Sequence, residues 1–341
     1  MKPQTTDKRQ LTTTRIDSVD ALRGFTVAAM LLVNNPGTWS AIYAPLRHAE
    51  WHGWTPTDLI FPFFLFIVGI TTELSRKSAR GIIRRGLLIV LCGLLLNAFP
   101  YFRLDELRVT GVLQRIGIVY IAAALIAQKA SRRTIVAIIV VILVGYWALL
   151  SLGPLVPSEA TIAARVDRAL IPEAHLWKQS RTWDPEGVLS TLPAIATALI
   201  GVLVTPWVRT KNVSMLTIAG AGAAVAGLAW GLMFPINKNL WTSSYVVFTA
   251  GAAMLLLALW IWKLPAKPFV VFGVNPLLAF IGSGAMARLL GIYKLQPLTY
   301  RTYFKPYFEP RLASLLWALT FVAVWYAILR VLYKRRIFLK L

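Results

Sequence analysis

The sequence is poor in charged residues and nearly devoid of cysteine and histidine. Asp, Glu, Lys and Arg together make up 15% of the 341 residues, compared with roughly 25% in a soluble domain. Cys92 is the single cysteine, which excludes an intramolecular disulfide and a thiolate metal cluster. The three histidines offer little for a histidine metal site. Soluble dinucleotide-binding enzymes, secreted disulfide scaffolds and disordered chains are therefore excluded.

Long apolar runs occupy most of the chain instead. Apolar and aromatic residues account for 57% of it, more than one soluble core can bury. A helix needs about 20 apolar residues to cross the hydrocarbon layer of a membrane. Ten runs approach that length: Val19–Asn35, Thr55–Leu74, Ile82–Phe99, Gly111–Gln128, Thr134–Leu152, Val188–Val208, Val213–Phe234, Leu240–Lys263, Phe269–Leu290 and Ala313–Leu332. The sequence predicts an all-α, polytopic bundle of about ten transmembrane helices, the ninth interrupted by glycine, asparagine and proline.

Basic residues outnumber acidic ones by 36 to 14, giving a net charge of +22. They are concentrated in alternate connections, and every short connection that this alternation assigns to the inner side is basic. The positive-inside rule then predicts that both termini are cytoplasmic. It also explains the net charge without a nucleic-acid partner. We divide the chain into a cytoplasmic segment at 1–17 and a single transmembrane domain at 18–341.

Three outer loops carry most of the remaining polar residues. The first, 36–54, is aromatic and holds two of the three histidines. The second, 153–187, holds acidic residues and a stretch, Thr161–Ile171, whose apolar side chains share one helical face, which predicts a short interfacial helix. The third, 291–310, is rich in Tyr and Phe and is interpreted as an aromatic belt or a sugar-stacking surface.

The strongest candidates for chemistry lie between the first two spans. Polar groups beside a membrane span are costly and are functional candidates by default. His48 is the best candidate acid–base residue, because an imidazole takes and releases protons near neutral pH. Asp58 opens the second span, where it could orient a histidine or cap the helix. His48 and His52 are four residues apart and could bind a metal if they were helical, but Pro45 and Gly53 bracket them and no acidic or cysteine triad lies nearby, so no metal is expected.

Other polar residues lie at the predicted ends of the spans. Arg115 begins the fourth span and either lines an outer cavity or extends to the interface. Asn237, Lys238 and Asn239 offer amides and an ammonium suited to a sugar, or form a plain turn. On the inner side, a basic patch suggests either topogenic charge or a site for the phosphates of a nucleotide-bearing cofactor. The residues of this patch that we select for cofactor binding are Arg80, Arg84 and Arg85.

Several segments can be compared with known families. They are SVDALRGF from Ser18, VN from Val33, HAEWHGWTPTDLIFPFFLFIVG from His48, GVLQRIG from Gly111, WDPEG from Trp183, NKNLW from Asn237 and GVNP from Gly273. In this order, and across nearly the whole chain, the segments resemble the transmembrane heparan-α-glucosaminide N-acetyltransferases and their bacterial relatives.

The resemblance implies transfer of an acetyl group from cytoplasmic acetyl-CoA to an amino sugar or glycan on the other side of a bacterial inner membrane. It places the active-site histidine of the family on His48, the aspartate on Asp58 and the asparagine on Asn34. We add Asn275, in the last of the similar segments, to Arg115 and the 237–239 run as candidate substrate-binding residues. The expected partners are the lipid bilayer and the acceptor, with a homodimer as a further possibility.

A different function class also fits part of the sequence. A sugar transporter or permease of the N-acetylglucosamine type would use the interrupted ninth span and the polar outer loops. Transporters commonly contain inverted repeats and intramembrane acids for ion coupling, and neither is evident in this sequence. Binding of acetyl-CoA would distinguish the two functions, because a simple permease has no reason to bind it.

Overall fold

The computed structural model describes residues 16–75 and 77–339. In this part of the chain the regular secondary structure is entirely helical, without a β-strand. The segment predicted at 1–17 lies outside the described residues except for its last two. The helices are α1 (Asp17–Asn34), α2 (Ile60–Leu74), α3 (Ala79–Ala98), α4 (Val112–Lys129), α5 (Arg132–Leu150), α6 (Ile162–Leu170), α7 (Val188–Arg209), α8 (Val213–Gly231), α9 (Ser243–Trp262), α10 (Lys267–Gly273), α11 (Pro276–Ile292), α12 (Leu295–Tyr303) and α13 (Pro310–Lys334). The fold class predicted from the sequence is confirmed.

All ten predicted apolar runs coincide with helices. Within the described residues, eight helices are long and apolar enough to cross a membrane, and the first of them, α2, is counted from Pro56 so as to include the preceding 3₁₀ turn. Helices α10 and α11 add a ninth span if they are taken together, and they meet at a bend of 75°. The bend falls at Asn275 and Pro276, where the sequence predicts an interruption. Proline cannot continue α10 but is tolerated in the first turn of a new helix, so α11 begins at Pro276. The protein is therefore a multi-pass membrane protein.

Helix α1 does not qualify as a span by composition, because its 18 residues include Asp17, Asp20 and Arg23. The structure nevertheless packs most of α1 inside the bundle. Arg23 Nη1 donates to Asp20 Oδ1 at 2.9 Å and to the backbone oxygen of Gly273 at 3.1 Å. Pairing of this kind lowers the cost of placing the two charges among the helices.

The centre of the bundle is the pair α2 and α7, both of which are mostly buried. A Cβ atom added at Gly69 would lie 1.8 Å from the backbone oxygen of Ala198, and one added at Gly201 would lie 2.1 Å from that of Phe66. Any larger side chain at either position would push the helices apart. The two glycines therefore permit a close backbone approach of the kind that joins helices in membranes.

The connections gather at two ends of the bundle. We call the end that contains the C-terminus of α1 the site end. The loops there are joined to each other: Gly53 N donates to the Ile236 oxygen at 2.8 Å, and Gln296 Nε2 donates to the Gly37 oxygen at 2.8 Å. The short helix predicted at Thr161–Ile171 is present at this end as α6 (Ile162–Leu170). The stretch 291–310, predicted to be an outer loop, instead contains α12, whose Tyr300 is buried against Gly37.

Candidate active site

His48 and Asp58 form a direct pair at the site end. The His48 Nδ1 atom lies 2.6 Å from Asp58 Oδ1. Asp58 is buried, whereas the His48 side chain is 48% exposed. An ionised carboxylate only accepts hydrogen bonds, so Nδ1 carries the proton when the imidazole is neutral. The other ring nitrogen, Nε2, then presents its lone pair and can act as a base.

The local sequence explains how Asp58 is held. Pro56 begins a 3₁₀ turn over Pro56–Leu59, and Thr55 caps it in a reciprocal capping box with Asp58. The Oδ2 atom of Asp58 accepts from Ala49 N and Thr55 N, each at 3.0 Å, and from the Thr55 hydroxyl at 3.2 Å. The two roles weighed for Asp58 in the sequence are therefore both present: one oxygen caps the turn while the other orients His48.

The histidine loop is anchored to the same turn. The Thr55 hydroxyl shares its single proton between Asp58 Oδ2 and the backbone oxygen of Arg47, which is nearer at 2.5 Å. The Thr57 hydroxyl donates to the backbone oxygen of Pro45 at 3.1 Å. The residues from Arg47 to His52 are not helical. His48 and His52 therefore do not share a helix face.

The connection between α8 and α9 brings Asn237 and Lys238 to this pair. Asn237 is fully buried, and its amide nitrogen donates to the Trp51 backbone oxygen at 2.9 Å. Its Oδ1 accepts from Leu240 N at 2.8 Å, which closes the loop. Asn237 is thus a structural link between two loops, although its sequence position predicted contact with a sugar. Asn239 is half-buried and has no side-chain hydrogen bond within the described part of the chain.

Lys238 lies next to the imidazole. Its Nζ is 3.0 Å from His48 Nδ1, 3.2 Å from His48 Nε2 and 3.7 Å from Asp58 Oδ1. Burial lowers the pKa of Lys238, while the carboxylates of Asp58 and Glu186 oppose this shift and Arg115 adds to it. His52, which belongs to the same loop as His48, has its pKa lowered by partial burial.

Arg115 is buried beneath the site rather than exposed at its mouth. Its guanidinium lies 5.0 Å from the centre of the Trp241 ring. Its Nη2 donates to the Ser190 hydroxyl at 2.5 Å and to the Gly187 oxygen at 3.2 Å. The side chain is only 1% exposed. Snorkelling to the interface, one of the two interpretations of Arg115, is therefore wrong.

A second ion pair supports the loop before α7, and sequence reasoning did not select its members as site residues. Arg108 Nε donates to Asp184 Oδ2 at 2.9 Å, and Arg108 Nη2 donates to Asp184 Oδ1 at 2.5 Å and Glu186 Oε2 at 2.6 Å. These hydrogen bonds raise the pKa of the Arg108 guanidinium against the opposing effect of burial. Both acids belong to the WDPEG segment, and this segment is the sequence feature that could have pointed to the ion pair.

The other two candidates, Asn34 and Asn275, make no hydrogen bond to the His48 pair within the described residues. Asn34, at the end of α1, is exposed and lines two cavities of about 640 and 250 Å³ between α1 and α11, and His48 lines neither. Asn275 is buried at the opposite end, where its amide donates to the Ile337 oxygen at 3.0 Å and accepts from Leu339 N at 2.9 Å. The amide of Asn275 is thus engaged with backbone rather than open to a ligand.

The three arginines of the predicted cofactor site differ from one another in exposure. Arg80 and Arg84 are exposed at the start of α3. Arg85 is half-buried, and its guanidinium lies 5.3 Å from the centre of the Tyr120 ring. Arg80 and Arg84 are therefore open to a ligand, whereas Arg85 packs against Tyr120.

Comparison with known proteins finds sequences similar to this chain. A family model described as the catalytic region of heparan-alpha-glucosaminide N-acetyltransferase matches residues 15–162. The mouse heparan-alpha-glucosaminide N-acetyltransferase is 26% identical in an alignment covering 98% of this chain and 62% of that protein. The human protein of the same name is 26% identical, covering 96% of this chain and 60% of its own length. The chain thus spans about three-fifths of the length of these relatives, and its residues 15–162 are similar to the catalytic region of the heparan-alpha-glucosaminide N-acetyltransferases.

Proposed function

We propose that this protein transfers an acetyl group from acetyl-CoA to the amino group of an amino sugar or glycan at the site end of the bundle. The observation that carries the proposal is the contact of 2.6 Å between His48 Nδ1 and Asp58 Oδ1. It leaves Nε2 as a base on a half-exposed ring at a loop surface. The names of the mouse and human relatives specify an N-acetyltransferase that acts on a glucosaminide.

The chemistry needs one group that both takes and returns a proton. The nitrogen of the free amine attacks the carbonyl carbon of the thioester, and the carbonyl electron pair moves onto oxygen. His48 Nε2 takes the proton that the nitrogen loses. When the oxyanion collapses, the carbon–sulfur bond breaks and the departing thiolate takes that proton from His48. Asp58 stabilises the intervening imidazolium. An alternative route, in which His48 first accepts the acetyl group itself, uses the same pair of residues.

The sidedness of the reaction follows from charge. The short connections at the end opposite His48 are all basic. By the positive-inside rule we infer that the site end faces outward, which in a bacterial inner membrane is the periplasm. Acetyl-CoA is made in the cytoplasm, so its acetyl group has to reach the opposite face. We infer that Arg80 and Arg84, at the inner end of α3, attract the phosphates of the donor.

The test is acetylation by the purified protein in detergent. With acetyl-CoA as donor and glucosamine as probe acceptor, we expect N-acetylglucosamine to form, as measured by mass spectrometry. H48A should lose about 10²–10⁴ in rate while keeping its melting temperature and its acetyl-CoA binding. H52A is the matched control and should lose little. An active H48A protein would exclude both the general-base role and the acetyl-histidine role.

A sugar permease is the second candidate function, favoured by the 75° bend between α10 and α11. Broken helices commonly form substrate sites in transporters. The two functions give different results in proteoliposomes. A permease moves labelled N-acetylglucosamine without acetyl-CoA, whereas the proposed enzyme binds acetyl-CoA and releases free CoA only when an acceptor is present.

A further inference from the structure

Lys238 lies beside the proposed base, and most of the N–H groups of its ammonium have no hydrogen-bond acceptor within the described residues. An ammonium has three N–H donors. Within the described residues, only the two ring nitrogens of His48 lie within hydrogen-bond distance of Nζ, at 3.0 and 3.2 Å. Nδ1 already donates to Asp58, so the ring has one lone pair, on Nε2, to offer. At least two N–H groups of Lys238 are therefore left without an acceptor in the described part of the protein.

Asp58 cannot take up these donors. Its Oδ1 accepts from His48, and its Oδ2 accepts from three other groups. The separation of 3.7 Å between Lys238 Nζ and Asp58 Oδ1 is an ion pair but is too long for a hydrogen bond. Asp58 thus supports the positive charge of Lys238 without occupying its donors.

The surroundings keep this cation in place. Asn237 fixes the connection that carries Lys238 through its hydrogen bonds to Leu240 N and the Trp51 oxygen. The charged groups that influence Lys238 from the neighbouring elements are Asp58, Glu186 and Arg115. The Lys238 side chain is 18% exposed, so it is partly open to its surroundings at the site end of the bundle.

We propose that Lys238 is a further catalytic residue, which donates to the carbonyl oxygen of the thioester and stabilises the oxyanion of the tetrahedral intermediate. This inference rests on the proposed acetyl transfer. Charge develops on that oxygen within a few ångströms of the nitrogen that takes the proton, and Lys238 lies 3.2 Å from that nitrogen. A preorganised donor at such a position typically contributes about 10²–10³ in rate.

The kinetic test compares Lys238→Met with Lys238→Arg and with Lys178→Met, which removes an exposed lysine of another outer loop. Acetyl-CoA and glucosamine serve as substrates. We expect kcat of K238M to fall about 10²-fold or more, with KM for acetyl-CoA nearly unchanged, K238R to recover part of the loss, and K178M to match the wild type. A K238M protein that keeps more than about a tenth of kcat would overturn the assignment.

Chemical rescue separates an ammonium requirement from a packing role. Cys92 is the single native cysteine, so C92S/K238C presents one thiol. Its thiolate displaces bromide from 2-bromoethylamine, which rebuilds a lysine-like ammonium through a thioether. Iodoacetamide instead attaches a neutral amide. We expect the first reagent to restore acetyl transfer and the second to leave it low. Equal restoration by both reagents would overturn the assignment.

Protection by the donor gives a readout that does not need an acceptor. If Lys238 meets the thioester, bound acetyl-CoA should slow alkylation of the introduced thiol in C92S/K238C. Failure of acetyl-CoA to slow alkylation would refute the role of Lys238. Slowed alkylation in a protein whose parent does not acetylate glucosamine would instead count against the proposed acceptor, with Lys238 still placed at the donor.

Discussion

Gly187 lies so close to the carboxylate of Asp167 that a Cβ atom at Gly187 would be 2.0 Å from Asp167 Oδ2. The same carboxylate accepts from Val188 N at 2.8 Å and so binds α6 to the first turn of α7. The Gly187 oxygen in turn accepts from Arg115. Helix α6 is therefore coupled through one glycine to the layer beneath the proposed active site.

Replacing Gly187 with alanine should destabilise the protein, because the added methyl group has no space. Overpacking of this kind costs about 1–3 kcal/mol. We expect a lower melting temperature in detergent and reduced acetyl transfer. In the double variant G187A/D167A, the shortened partner leaves room for the methyl group, so the combined loss should be smaller than the sum of the two single losses. Strictly additive losses would contradict the proposed contact.

Asp167 should make stability depend on pH. Burial raises its pKa to about 6 from an ordinary value of 3.8. The folded protein therefore holds a proton at pH values where the unfolded chain has lost it, and stability falls as pH rises from about 4 to about 6. The shift of about two units corresponds to about 3 kcal/mol.

The comparison for Asp167 is D167N, which cannot ionise but can still accept from Val188 N. We expect the melting temperature of the wild type to fall relative to D167N between pH 4 and pH 7. D105N, at an exposed carboxylate, should run parallel to the wild type. Parallel curves for D167N and the wild type would show that Asp167 does not contribute this dependence.

The donor site is tested by two neighbouring arginines with different surroundings. Arg84 is exposed, so R84A should raise KM for acetyl-CoA about tenfold, the equivalent of about 1.4 kcal/mol, without lowering kcat. Arg85 stacks on Tyr120, so R85A should lower the melting temperature and change KM less. Steady-state kinetics and thermal unfolding of both variants distinguish a role in donor binding from a role in stability. An unchanged KM in R84A would leave topogenic charge as the role of that residue.

Orientation is tested by labelling single cysteines in intact cells of a C92S strain. Lys211 lies between α7 and α8, and Lys305 lies just after α12 at the site end; both are exposed. A membrane-impermeant maleimide should label K305C and leave K211C unlabelled until the cells are opened. The reverse pattern would place His48 in the cytoplasm and remove the need to carry an acetyl group across the membrane.

Much of the fold could be predicted because membrane spans are local features. An apolar run of about 20 residues specifies a helix without reference to the rest of the chain. Helix α12 was missed because its nine residues are polar and aromatic rather than apolar. Helix α1 contains three charged residues, and its composition does not show that Arg23 pairs with Asp20 and with the Gly273 oxygen.

The site was only partly predictable because it depends on contacts between distant segments. His48 and Asp58 are ten residues apart, and one loop and one turn suffice to bring them together. Lys238 comes to His48 from 190 residues away, and Arg108 meets Asp184 across 76 residues. No periodicity in a sequence reports such contacts. The buried positions of Asn237 and Asn275 likewise depend on packing that the sequence does not specify.

The last prediction concerns Asp58→Asn, which separates orientation of His48 from simple capping. An asparagine oxygen placed at Oδ2 can keep the hydrogen bonds from Ala49 N, Thr55 N and the Thr55 hydroxyl. Its NH₂ group then faces His48 Nδ1 and donates to it, so the ring proton moves to Nε2. The nitrogen that should accept a proton becomes a donor. We expect kcat to fall about 10³–10⁴-fold, while the melting temperature changes little.

Two comparisons make the Asp58 result decisive. D58A removes the cap as well, so its melting temperature should fall where that of D58N does not. If Asp58 were only a cap, D58N would retain the capping bonds and full activity. Measuring kcat and thermal unfolding for the wild type, D58N and D58A in the same detergent distinguishes these outcomes, because a loss of turnover without a loss of stability is expected only if the carboxylate fixes the tautomer of His48.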